Sequence, residues 1–152
     1  MVQKNIHERI RRVSTLQTDN GSWKFIFEGP VLTDSFYIMT VCALQLPFDE
    51  LTEKVFSRLV SLQQENGSWK IYQDEKEGNL SATIQAYTAL LLSKKFTRSD
   101  EEMKRAEQFI QQHGGLKNAH FMTKMMLAVN GLYKYPSYFY FPMTYYLLPS
   151  SF

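Results

Sequence analysis

Apolar side chains recur at three-to-four spacing in two well-separated stretches of the chain. Ile6, Ile10, Val13 and Leu16 mark the first, and Val55, Phe56, Leu59, Val60 and Leu62 mark the second, within Glu53 to Gln64. That spacing gathers them on one face of a helix and leaves the charged positions on the other. Both stretches run into Asn-Gly, at Asn20-Gly21 and Asn66-Gly67. These residue types accept the left-handed backbone that closes a helix. A more apolar segment follows each loop. Thr33 or Asp34 is expected to cap a helix carrying Phe36, Tyr37, Met39, Thr40, Ala43 and Leu44, and Asn79 or Ser81 one carrying Ile84, Tyr87, Leu90 and Leu91.

The loops repeat in detail. "LQTDNGSWKF" at residues 16 to 25 returns as "LQQENGSWKI" at residues 62 to 71, so Gln17, Gly21 and Trp23 recur as Gln63, Gly67 and Trp69, each 46 positions on. A weakened third copy has Gln111 and Gly115, 48 positions beyond Gln63 and Gly67, with Lys117 where the tryptophan would fall. Its second helix is expected from about Asn118 to Val129. Three helical hairpins, at about 5–45, 50–94 and 100–131, are followed by an aromatic, proline-rich tail at 132–152. This order predicts an all-α fold of one domain, an α/α solenoid that curves or part of a closed α/α toroid. A glutamine on the last turn of a helix can bond unsatisfied carbonyls there or reach the next unit, the glycine permits the turn, and the indole lies flat on neighbouring backbone. Gln, Gly and Trp would fasten one hairpin to the next. The alternative for Trp23 and Trp69 is a carbohydrate or cation platform, and recurrence at a fixed place in the repeat favours the structural role.

Composition changes this picture little. The 152 residues are 44% apolar and 21% charged, which suits one folded domain with a real core. A net charge of +2, with Arg11-Arg12 and Lys94-Lys95 isolated, argues against nucleic acid as a partner. The single cysteine, Cys42, cannot form an internal disulfide, and the charged start MVQKNIHERIRRV lacks the apolar core of a signal peptide, so a cytoplasmic setting is expected. His7, His113 and His120 show no metal-ligand spacing, and neither a metal nor another cofactor is expected. Cys42 and Gln45 have the Cys-x-x-Gln spacing of thioester domains without the Gly and Glu that surround it there, so a core cysteine is the simpler reading. Tyr135 to Phe152 holds eight of the twenty Phe and Tyr and no charge, while Pro136, Pro142 and Pro149 interrupt any spanning helix. This tail could pack against further sequence, lie in a membrane interface, or cover the edge of the repeats. The first is the preferred reading.

The element Gln-x3-Gly-x-Trp, twice intact, resembles the QW motif of class II terpene cyclases, the squalene-hopene cyclase family. The segments "FEGPVLTDSFYI", "GNLSATIQAY", "AEQFIQQHGGL" and "HFMTKMMLAVNGLY" look closer to its bacillus branch, the sporulenol synthases that cyclise tetraprenyl-β-curcumene. The likeness runs from about Ile10 to Pro149. It implies an enzyme of two α/α-barrel domains, roughly four times this length, that binds a linear polyprene in an apolar cavity. There an aspartic acid of a D-x-D-D motif protonates a terminal double bond, and aromatic faces stabilise the travelling cation. Asp19, Asp34, Asp49, Asp74 and Asp100 form no such frame, so this chain reads as the N-terminal segment of a cyclase, inactive alone. The resemblance places Met122 and Met126 on aromatic positions of the cavity wall. A thioether fills apolar space but lacks the quadrupole of a ring, and core filling is the alternative. Asp34 and His120 near inner-helix starts suggest an acid and a base, though capping is the simpler role for Asp34. Implied partners are the polyprene, the missing C-terminal part of the enzyme and the inner membrane face. A non-catalytic repeat module that binds an isoprenoid or forms a homodimer is the rival reading.

Overall fold

A computed structural model describes residues 2–15, 17–21, 29–72 and 74–134, with the side chains of residues 2–5 and 12 left aside. Seven helices appear among them: α1 Val2–Ser14, α2 Pro30–Ala43, α3 Glu50–Ser61, α4 Leu80–Leu92, α5 Glu101–Gln112, α6 Gly115–Asn118 and α7 Phe121–Val129. The apolar helices α2, α4 and α7 form one row with α4 in the middle, while α3 backs α2 and α5 backs α4. The fold is all-α, of the toroid type that the repeat predicts. The aromatic tail from Tyr135 onward lies outside the described residues.

The amphipathic helices turn their stripes to this row. Val55, Phe56 and Leu59 of α3 and Met103, Ala106 and Phe109 of α5 are buried, with their charged positions facing outward. On α4, Ala82, Ala86 and Ala89 are buried at helical spacing, and these small residues join Ile38 and Met39 of α2 and Trp69 in one core. A smaller cluster of Ile84, Ala119 and Leu127 joins α4 to the start and body of α7.

Local chemistry sets the boundaries. Asp49 caps α3, accepting from the Thr52 amide at 2.8 Å and the Thr52 hydroxyl at 2.6 Å. Asn79 caps α4, accepting from the Ala82 amide at 3.1 Å. α2 departs from expectation. Neither Thr33 nor Asp34 caps it, because Pro30 in its first turn starts the helix earlier and Gly29 is its N-cap. Gly29 donates its amide to the Ile71 carbonyl at 2.9 Å, and a Cβ there would stand 2.2 Å from that oxygen, so backbone meets backbone where a side chain has no room. Asp34, a turn further in, is buried and accepts from Arg58 of α3 through Nε at 2.7 Å and Nη2 at 2.5 Å. This fork holds the Arg58 guanidinium above its ordinary range and pins α3 to α2. The single helix expected from about Asn118 also differs. Extended backbone at Ala119 separates the short α6, which ends at Asn118, from α7, which begins only at Phe121, and the His120 ring accepts from the Met122 amide at 3.3 Å to cap α7.

Candidate functional site

Two features position chemistry in this fold: the Gln-Gly-Trp loops and a cleft at the N-terminal ends of the apolar helices. In the second loop the Gln63 amide donates to the Gly67 carbonyl at 3.1 Å and to the Glu102 carbonyl of α5 at 2.8 Å. Gly67 has φ +84°, and a Cβ on it would lie 2.3 Å from the Arg105 carbonyl carbon, so this glycine is required both by its backbone and by the approach of α5. Trp69 is fully buried. Its indole N–H donates to the Leu59 carbonyl of α3 at 2.7 Å, and its backbone N–H donates to the Thr83 hydroxyl of α4 at 3.0 Å. One loop therefore ties α3, α4 and α5 together.

The other copies differ. Gln17 donates to the Gly21 carbonyl at 2.6 Å, repeating the local bond, but both residues are exposed, and Trp23 lies outside the described residues. In the third copy Gly115 has φ +61° with open space around it, and Lys117 lends its carbonyl to Lys124 Nζ at 2.9 Å.

The cleft has a volume of about 450 Å3 and is bounded by α2, α4, α7 and the loop at Ile71. Leu32 and Phe36 of α2, Ile71 and Met122 form its apolar walls, and Ser81, Gln85, His120 and Thr123 supply polar groups. Gln85, only 3% exposed, donates to the buried Thr123 hydroxyl at 2.7 Å, and its carbonyl oxygen has no partner among the described residues. Such an atom in a cavity of this size suits a hydrogen-bond donor from a ligand or water. Sequence reasoning passed over Gln85; the available signal was a lone amide inside the otherwise apolar run of α4. A second cavity, of about 420 Å3, lies between α4, α5 and α7 among Ile84, Leu91, Ile110 and Leu127. Near its lip Tyr87 donates to Glu107 at 3.4 Å, and burial, then the neighbouring carboxylate, pushes its phenol up.

Of the residues singled out from the sequence, Met122 stands on the cleft wall, half exposed, while Met126 is half-buried on the next turn and outside that lining. Asp34 and His120 form no acid-base pair. Asp34 is engaged by Arg58, and His120 reaches the cleft as a cap whose backbone N–H donates to Ser81 at 2.8 Å. Cys42 is half-buried in α2, and burial pushes its thiol up, away from nucleophilic thiolate. Among the described residues no group of three His, Cys, Asp or Glu could hold a metal ion, and no helix is long and apolar enough to cross a membrane.

Comparison with known proteins gives this architecture its relatives. Sporulenol synthase of Bacillus subtilis is 45% identical over 135 residues, 88% of this chain and 21% of that protein. Squalene-hopene cyclase of Alicyclobacillus acidocaldarius is 28% identical over 86% of the chain, and that of Schizosaccharomyces japonicus 27% over 97%. The chain spans about a fifth of the length of these relatives. Residues 6–152 match the profile of the squalene-hopene cyclase N-terminal domain, and the chain belongs to that family of terpene cyclases.

Proposed function

We propose that this chain builds part of the apolar wall around a linear polyprene in a protonation-initiated cyclase, with squalene or tetraprenyl-β-curcumene as the substrate class. The observation that carries the reading is the cleft framed by three consecutive apolar helices, with Phe36 and Met122 on its walls. Apolar concavity with few polar groups suits a hydrocarbon chain. The acid is not here, since no two aspartates of the chain fall in a D-x-D-D frame, and it would come from the rest of such an enzyme. In this reading the three hairpins are successive sections of one curved wall, working in the cytoplasm at the membrane face from which a polyprene enters.

A chimera provides the test. This chain replaces the matching fifth of Bacillus subtilis sporulenol synthase, and cyclic product is measured from tetraprenyl-β-curcumene. The chimera should form product and the isolated chain none. Met122→Asp should lower product formation in the chimera more than tenfold, with Met122→Leu within about twofold. Turnover by the isolated chain, or a folded Met122→Asp chimera with full activity, would overturn the proposal.

A further inference from the structure

The geometry points to the cavity between α4, α5 and α7 as a binding site for a small, neutral, flat aromatic molecule of the size of indole, at the place where the second unit keeps its own tryptophan. The inference rests on neither the cleft nor a polyprene. Trp69 is fully buried in the core that α2, α3 and α4 share, bonded to Leu59 of α3 and to Thr83 of α4. One unit further along, the matching trio is α4, α5 and α7, since α5 backs α4 as α3 backs α2 and α7 lies beside α4 as α4 lies beside α2. The cavity of about 420 Å3 occupies that position.

Turn geometry sets the register between the units. The amides of Gly21, Gly67 and Gly114 donate to the carbonyl three residues back at 2.8, 2.9 and 3.2 Å, with φ +81°, +84° and +88°. Trp69 stands two residues beyond Gly67, so its counterpart by this geometry is Leu116 rather than Lys117, and Leu116 lines the cavity. The outer helices agree. α3 and α5 are both 12 residues long and start after Asp49 and Asp100, so Phe56 and Leu59 of α3 correspond to Glu107 and Ile110 of α5, and both of these also line the cavity. The third unit thus has leucine in place of an indole and a carboxylate in place of a phenyl ring, and the space remains a cavity. Ile84 and Leu127, each 3% exposed, give it an apolar floor. A volume of this order suits a small molecule, and an apolar hollow left by a missing side chain takes up an aromatic ring of matching size. Arg98 and Glu107 line it with one charge of each sign, which favours a neutral ligand over an ion.

The full 152-residue chain is titrated with indole and followed by methyl NMR. Saturable shifts are expected at Ile84, Ile110 and Leu127, with a dissociation constant below about 1 mM, while Leu32 and Ile71 on the cleft stay unmoved. Leu116→Trp should supply the absent ring from the chain itself, raising the melting temperature by roughly 2–5 °C and weakening indole binding by about tenfold or more. Leu116→Ala should keep indole binding within about threefold. No saturable shift, shifts confined to the cleft, or a folded Leu116→Trp protein that melts lower or still binds indole as before would each overturn the proposal. The methyl map needs no variant, so it decides the question even where Leu116→Trp fails to fold.

Discussion

The first and second copies of the Gln-Gly-Trp loop share a local turn and differ, among the described residues, in what their glutamine and glycine meet beyond it. In both, the glutamine amide donates to the carbonyl of the glycine four residues on, and that glycine has positive φ. The second glutamine also reaches Glu102 on α5, and its glycine presses on the Arg105 backbone. Among the described residues the first reaches no neighbouring helix, and the nearest atom that a Cβ on Gly21 would meet is Gln17 Nε2 at 3.8 Å. The motif thus encodes by itself a tight turn just beyond the helix end. It becomes a clasp between units only when the next amphipathic helix comes down on the glycine.

Substitutions at paired positions measure that difference. The largest effect belongs to Trp69→Ala, which empties the centre of the core and removes a donor from the Leu59 carbonyl; a loss of about 4 kcal/mol in urea unfolding is expected. Gly67→Ala comes next at about 3 kcal/mol, combining left-handed strain with a backbone collision, whereas Gly21→Ala should cost about 1 kcal/mol from strain alone. Equal losses at the two glycines would break the comparison. Gln63→Ala should cost about 1 kcal/mol and Gln17→Ala less than about half of that, since only Gln63 bonds to a second helix.

Acid gives the finest probe. Thr52, through its hydroxyl and then its amide, holds the Asp49 carboxyl below the ordinary carboxylate range. A depressed folded value means that the cap stabilises α3 above the unfolded value of about 3.9, and that this contribution fades as pH falls through the folded value. Asp49→Ala should therefore lower the melting temperature by a few degrees at neutral pH, with the two proteins converging once the pH has fallen below the folded value. The melting of α1 should not respond, because its first turn carries no acidic residue.

The all-α fold was legible because its information is local. Amphipathic spacing and the cap at Asn79 act within one turn of the residues they control, whereas the expected Asn-Gly stops at Asn20-Gly21 and Asn66-Gly67 lie past the helix ends at Ser14 and Ser61 and close a separate turn. What sequence reasoning misplaced depends on distant partners. Asp34 looked like a cap because carboxylates suit helix starts, yet its role comes from Arg58, 24 residues further along the chain. The cleft's polar floor was hidden for the same reason, since Gln85 and Thr123 are 38 positions apart and meet only once α4 and α7 pack. The break between α6 and α7 escaped because Lys117 to Thr123 contains neither glycine nor proline. Met122 was marked through resemblance, and the exposure of α1's stripe gave no sign in a pattern that matched α3.

α4 touches α2, α5, α6 and α7, so it shares a boundary with four of the six other described helices. Peeling away either flank would leave it shielded by the opposite one. In hydrogen exchange its amides should consequently outlast the rest, releasing their protons only when the whole assembly comes apart, while the flanks flicker open through smaller excursions.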